Sequence, residues 1–144
     1  LSKKKFFKSS NAGVKKEYSK FFTRKNLSQY DSVYFYFKSN DKKYIIQSIS
    51  GRIYFKNQIK DCYEIQKTIL SEFRSIFKVT KGVENKSKLR GLNGNKKEYN
   101  FLFKDGNAAS IACYDYSSLD LSDRLSVIFL SKDYVDFQLN RAFK

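Results

Sequence analysis

One helical stripe limits what this chain can become. Ile59, Cys62, Ile65, Ile69, Phe73 and Ile76 recur at spacings of three and four, with Leu70 and Phe77 flanking them. That period marks an amphipathic helix that must lay one face on a core. Lys60, Gln66, Lys67, Ser71, Arg74 and Lys78 fall on the opposite, polar face. Asn57 is the expected N-cap, with Asp61 and Glu64 near the positive helix end.

The partner of that helix is a sheet. Residues 33–38 are β-branched and aromatic, and alternation sends Tyr34, Tyr36 and Lys38 to one side and Val33, Phe35 and Phe37 to the other. Further strands are expected at 43–48, 52–55, 99–103, 108–116 and 125–130, with Gly51 separating the second from the third. Lys104-Asp105-Gly106-Asn107 is a hairpin turn by composition. Val14, Tyr18, Phe21 and Phe22 fit a short helix over 14–22, and residues 80–98 read as a polar loop with at most one poor edge strand. Ser131 caps a last helix holding Tyr134, Val135, Leu139 and Phe143. The expected fold is α+β: an antiparallel sheet of five to six strands, with the central helix and the C-terminal helix on one face. Residues 1–13 are expected as a flexible basic arm, and 14–144 as a single domain.

Both cysteines point into the expected helix–sheet interface. Cys62 shares the helix stripe, and Cys113 shares a strand face with Ile111. An even count with both thiols inward favours a disulfide and an oxidising compartment, against two buried reduced thiols. Two cysteines without histidine fall short of a zinc site, so no metal and no cofactor is expected. The lack of histidine also excludes Ser-His-Asp and Cys-His chemistry. Asp115, Asp120 and Asp123 are the nearest carboxylate group, in a Ser-rich bend without calcium-loop spacing. A non-enzymatic role follows. The chain starts at Leu1 and holds no Met, which leaves a processed form, a trimmed form and a fragment all open.

The formal charge is +15 and uneven: residues 1–25 carry nine Lys or Arg against one acid, Glu17, whereas residues 105–144 are net acidic. A field of that sign favours anionic partners. Lys3, Lys4, Lys5, Lys8, Lys15, Lys16, Lys86, Lys88 and Arg90 are the candidate anion contacts. AT-rich coding alone would also enrich lysine. Tyr34, Tyr36, Tyr114 and Tyr116 are a candidate aromatic face, suited to stacking single-stranded nucleic acid or to shielding a half-exposed sheet.

The run Tyr44-Ile45-Ile46 through Gly51-Arg52-Ile53-Tyr54-Phe55, then Cys62, then Ile111-Ala112-Cys113-Tyr114-Asp115, resembles a loose family of small uncharacterised secreted bacterial α+β proteins with one helix–sheet disulfide. The resemblance covers about half the chain and its elements are generic. It implies export, to the periplasm or beyond, and carries no activity and no site residues. The leading expectation is therefore an extracytoplasmic domain binding a protein or anionic polymer surface. The alternatives are a basic, cytoplasmic single-stranded nucleic-acid-binding protein, viral or otherwise, and a subunit of a larger assembly.

Overall fold

The computed structural model describes residues 7–9, 17–25, 27–78, 82–89, 92–117 and 120–140. In chain order the elements are β1 (Phe7–Ser9), β2 (Tyr18–Thr23), β3 (Ser32–Lys38), β4 (Ile46–Phe55), α1 (Ile59–Phe77), β5 (Val83–Lys88), β6 (Gly94–Leu102), β7 (Ala108–Tyr116), β8 (Asp123–Leu130) and α2 (Lys132–Asn140). The fold is α+β. Seven strands of six residues or more, and the three-residue β1 at one edge, form one antiparallel sheet in the order β1-β2-β3-β4-β8-β7-β6-β5. Two meanders thus meet at its centre, where β4 pairs with β8.

Several strands differ from their sequence expectation for identifiable reasons. Residues 18–23 form a strand, not a helix, because all six pair with β3 and set Phe21 opposite Phe35 and Phe22 opposite Tyr34. Gly51 does not split β4. It lies in mid-strand, where an added Cβ would stand 2.6 Å from the Tyr30 ring, so its missing side chain makes room for that ring. Residues 83–88 form edge strand β5, exposed along its whole length. No apolar alternation marks it, and β6 accordingly starts at Gly94 rather than at residue 99. Within the expected basic arm, Phe7–Ser9 pair with β2; the rest of residues 1–13 lie outside the described residues. Asn57 takes a left-handed φ of 50°, and Gln58 holds the cap position without a side-chain hydrogen bond.

Helix α1 packs over β7, β8 and β4. Its buried residues are Cys62, Gln66, Leu70 and Phe73. Ile65 stands at the edge of that contact, and Ile76 is 71% exposed. The inward face is thus rotated from the isoleucine stripe. Cys62 sets this phase, since it must meet Cys113 beneath it. Gln66 follows one turn later and is fully buried, donating from Nε2 to the Lys97 and Ile111 carbonyls at 3.1 and 3.0 Å. Those two bonds satisfy an amide that would otherwise be costly to bury. Phe73 closes the core against Phe77, Phe101 and Phe129, with centroids 4.5, 4.7 and 5.8 Å away.

The disulfide joins Cys62 to Cys113 across a Cα–Cα distance of 6.1 Å, and both residues are fully buried. It ties α1 to β7, and the loop it closes restricts the unfolded chain by about 4 kcal/mol in the loop-entropy account.

The two helices lie on opposite faces of the sheet, not on one. Ile111, Cys113, Leu125 and Val127 face α1, and their strand neighbours necessarily face away. Helix α2 packs on that other face. Tyr134 meets Tyr18 and Tyr36 at 4.8 and 5.2 Å, and Phe137 meets Tyr18 at 4.7 Å. Ser131 caps the helix by accepting from the Tyr134 N–H, and its own N–H and hydroxyl both bond Gln47 on β4. Lys132 N–H donates to Asn107 Oδ1. These ties turn the chain across the sheet end. The aromatic side of β2 and β3 then offers α2 its seat.

Phe73→Ala should lower the unfolding free energy by about 3–5 kcal/mol, while Ile76→Ala should change it by about 0.5 kcal/mol or less; urea denaturation of both variants checks the rotated face. Replacing both cysteines with alanine should cost about 2–5 kcal/mol. Adding reductant during denaturation should shift the native protein by a similar amount and leave the double variant unmoved.

Candidate anion-binding face

Strand alternation sets a group of long side chains on the α2 side of the sheet. Register pairs Lys20 with Tyr36, Phe22 with Tyr34, Ser32 with Arg52, and Tyr54 with Arg124, which in turn lies opposite Tyr114. Lys20, Tyr34, Arg52 and Arg124 therefore follow a diagonal, each one strand over and two residues along from the last. Helix α2 covers the Tyr36 end. The Arg52 and Arg124 end carries no helix among the described residues.

Short side chains form the floor of this face. Ser50, Ser126 and Ala112 are buried there, with the two serine hydroxyls 3.3 Å apart. Above them the aromatic rings hold cations. The Arg52 guanidinium lies 4.0 Å from the Tyr34 centroid, and Lys20 Nζ lies 4.8 Å from the same ring. Phe22 stacks on Tyr34 at 5.6 Å. Arg124 sits 4.3 Å from Tyr114 and 5.8 Å from Tyr116, whose rings stack on each other at 6.3 Å. Contacts of this kind stabilise a cation without neutralising it.

No carboxylate pairs with these three cations among the described residues; the ion pairs there involve Lys38, Lys67, Lys86, Lys96 and Lys97 instead. The Nε atoms of Arg52 and Arg124 are covered and have no acceptor among the described residues. Burial holds the Lys20 ammonium below the ordinary lysine range, and the charges of Arg52 and Arg124 push the same way against a smaller opposing effect of Tyr54. Burial alone would raise the Tyr54 phenol. The neighbouring Ser32 and Tyr34 hydroxyls and the Arg52 guanidinium, with its charge, outweigh it and bring the phenol below its usual value. Both shifts describe a spot where positive charge crowds and negative charge is favoured.

The residues expected from sequence divide differently. Tyr34, Tyr114 and Tyr116 share this face, but Tyr36 is covered by Tyr134 of α2. Burial raises the phenols of both Tyr36 and Tyr134. Lys86 and Lys88 lie on β5, across the sheet, lining a cavity of about 350 Å³ with Tyr63, Lys97 and Asp115. Glu84 is held in that neighbourhood. It accepts from the Tyr99 hydroxyl at 2.8 Å and pairs with Lys86 and Lys97 at 3.6 and 4.0 Å. The Tyr99 hydrogen bond, then the Lys97 and Lys86 charges, keep its carboxyl below the usual range, so that group of lysines is partly neutralised from within. Lys8 lies in β1; Lys3, Lys4, Lys5, Lys15, Lys16 and Arg90 lie outside the described residues. Of the acidic bend, Asp123 is buried and accepts the Tyr116 N–H at 2.9 Å, a structural role.

Lys20, Arg52, Tyr54 and Arg124 were not among the expected contacts. Alternation carries the signal for three of them: Arg52 and Tyr54 interleave with Ile53 and Phe55, and Arg124 precedes Leu125. Lys20 needs residues 18–23 to be read as a strand.

No protein-family model matches this chain, and neither a curated protein nor a solved structure matches it.

Proposed function

We propose that this chain is a non-enzymatic, extracytoplasmic binding domain, and that it takes an anionic polymer on the Lys20–Arg52–Arg124 face. The observation that carries this reading is the placing of three cations on one face, none of them in an ion pair among the described residues. Like charges brought together in a fold cost stability unless rings or ligands offset them, and here the rings do so only in part. The disulfide supports an oxidising compartment, periplasmic or secreted. The absence of histidine supports a binding role over a catalytic one. A cytoplasmic nucleic-acid-binding role fits the charge equally well but leaves the disulfide unexplained.

Binding of a single-stranded oligonucleotide or a sulfated polysaccharide should weaken steeply with salt, because each contact releases counterions. Removing Arg52 and Arg124 as glutamines should reduce the log–log salt slope by about 0.7 per charge for the single strand, while Lys86→Gln with Lys88→Gln should change it less. Fluorescence polarisation over a salt series reads both, and a slope that ignores the two arginines removes this face from the reading.

Affinity should also fall as pH rises toward the ordinary range of lysine and tyrosine. Lys20 gives up its proton, and its charge, sooner than an ordinary lysine. Tyr54 becomes negative sooner than an ordinary tyrosine. Both changes oppose an anion. Lys20→Arg should flatten the lysine part of that decline, as arginine stays charged throughout. An affinity that stays constant through the ordinary lysine range, to about pH 11, would contradict the role of Lys20.

A further inference from the structure

Arg52 and Arg124 lie toward one end of β4 and β8; the other end of the sheet has a different character. Ile46 opens β4 opposite Phe37, and Ser48 pairs with Leu130, Leu130 with Ala108, and Ala108 with Leu102. The turns at 39–45 and 103–107 and the ends of these strands therefore stand together. Helix α1 ends there too, since Phe77 meets Phe103 and Phe129 at 5.7 and 5.8 Å. With Ile46 and Ile49, these three rings line an open cavity of about 400 Å³.

Apolar side chains are left in water at this end. Tyr44, Ile45 and Ile46 follow one another at 57, 55 and 48% exposure, and Leu102 stands at 76%. Exposed apolar residues in a row mark an interaction surface. The tip is also held in place. Asp41 accepts the N–H groups of Lys43 and Ile45 on its two carboxylate oxygens, at 2.8 and 2.9 Å. Tyr44 sits between them at a φ of 53°, a left-handed conformation that is costly for tyrosine. The fold carries that strain at a tip whose apolar side chains stay outside the core.

Cations surround the tip. Lys42 and Lys43 precede it, Lys78 caps α1, Lys104 follows Phe103 and Lys132 opens α2. All five are exposed, and none is in an ion pair among the described residues. The carboxylates nearest them in the chain are already engaged: Asp41 with the backbone, Asp105 with Asn107, and Asp133 with Lys38. Lysine is depleted from protein–protein interfaces, so apolar tips among unpaired lysines suit a protein partner poorly. They suit a lipid surface, where apolar groups enter the acyl boundary and lysine heads stay at the phosphates. A bilayer asks only that these groups share one end of the molecule, not one point.

From this arrangement we infer that the end of the sheet built on residues 39–46 docks on an anionic lipid bilayer. The 44–46 tip and Leu102 enter the headgroup boundary, and the lysines around them meet lipid phosphates. The Lys20–Arg52–Arg124 face takes no part in this contact, so the two readings stand or fall separately.

Flotation of the full chain tests it, with vesicles of phosphatidylcholine alone and of equimolar phosphatidylcholine and phosphatidylglycerol. The mixed vesicles should bind about tenfold or more tighter, because each lysine near an anionic surface adds to the attraction. Ile45→Ser with Ile46→Ser should weaken that binding about tenfold or more through lost apolar burial. Lys42→Gln with Lys43→Gln should weaken it by a similar factor. Arg52→Gln with Arg124→Gln should change it less than either pair. Should the isoleucine variant melt below the native protein, Leu102→Ser decides in its place, with an expected loss of about threefold or more. Equal binding to both vesicles, binding to neither, or mixed-vesicle binding that persists without the apolar side chains overturns the proposal. A larger loss from the arginine pair than from the tip also overturns it, by moving the contact to the other end. A native dimer in sedimentation that the isoleucine variant splits into monomers overturns it in favour of an interface between copies of this chain.

Discussion

Cys62 and Cys113 fix the relation between the long helix and the sheet, and much of the molecule follows from that bond. A helix on a sheet can roll about its own axis at little cost when several apolar residues compete for the inward position. Here Ile65 and Ile76 compete with Leu70. The tether to β7 decides the roll. With Cys62 down, Gln66 and Leu70 point down as well, and Ile76 points out. Gln66 then finds two strand carbonyls within reach, so a polar side chain occupies the core without being left unsatisfied.

The same sheet serves two helices through its two faces. On the α1 side the contacts are apolar and continuous: Phe73, Phe101, Ile111, Leu125 and Val127. On the other side they are mixed. Helix α2 seats Tyr134 and Phe137 on the tyrosines at one end, and the remaining area is a lattice of rings and cations over buried serines. Cation–ring contacts let a sheet keep arginines half covered while their charge stays available. That division explains why the residues of highest interest are not the most exposed lysines. Lys86 has Glu84 beside it. Arg52 and Arg124 have rings.

Local chemistry made much of this legible in the sequence. The Asp105-Gly106 hairpin, the Ser131 cap, the helix at 59–77 and the inward thiols each rest on a short-range rule, and each forms as read. What escaped depends on partners outside the segment itself. Residues 18–23 carry a helical spacing of aromatics, yet β3 offers them a full ladder of hydrogen bonds. β5 has no apolar face to betray it; pairing with β6 alone makes it a strand. The side taken by α2 is set by Gln47 and Asn107, neither of which the helix sequence can name. The diagonal of Lys20, Tyr34, Arg52 and Arg124 spans four strands and exists only once β4 and β8 are known to be neighbours. No one-dimensional pattern contains it.

That central pairing also bears on how the chain comes together in time. Each meander is built from neighbours in sequence, and such hairpins form quickly. The β4–β8 seam joins partners as far apart as Ser48 and Leu130, so it must wait for nearly the whole second half of the chain, and closing so long a loop is slow. Cys62 belongs to the helix that follows the first meander, and Cys113 to the interior of the second. Their sulfurs are brought together by the docking that the seam completes. During synthesis, or translocation from the N-terminus, the first thiol would emerge long before its partner and remain open to exchange with other thiols. Correct oxidation is thus a late event for this topology, and its completion marks a molecule whose two halves have found each other.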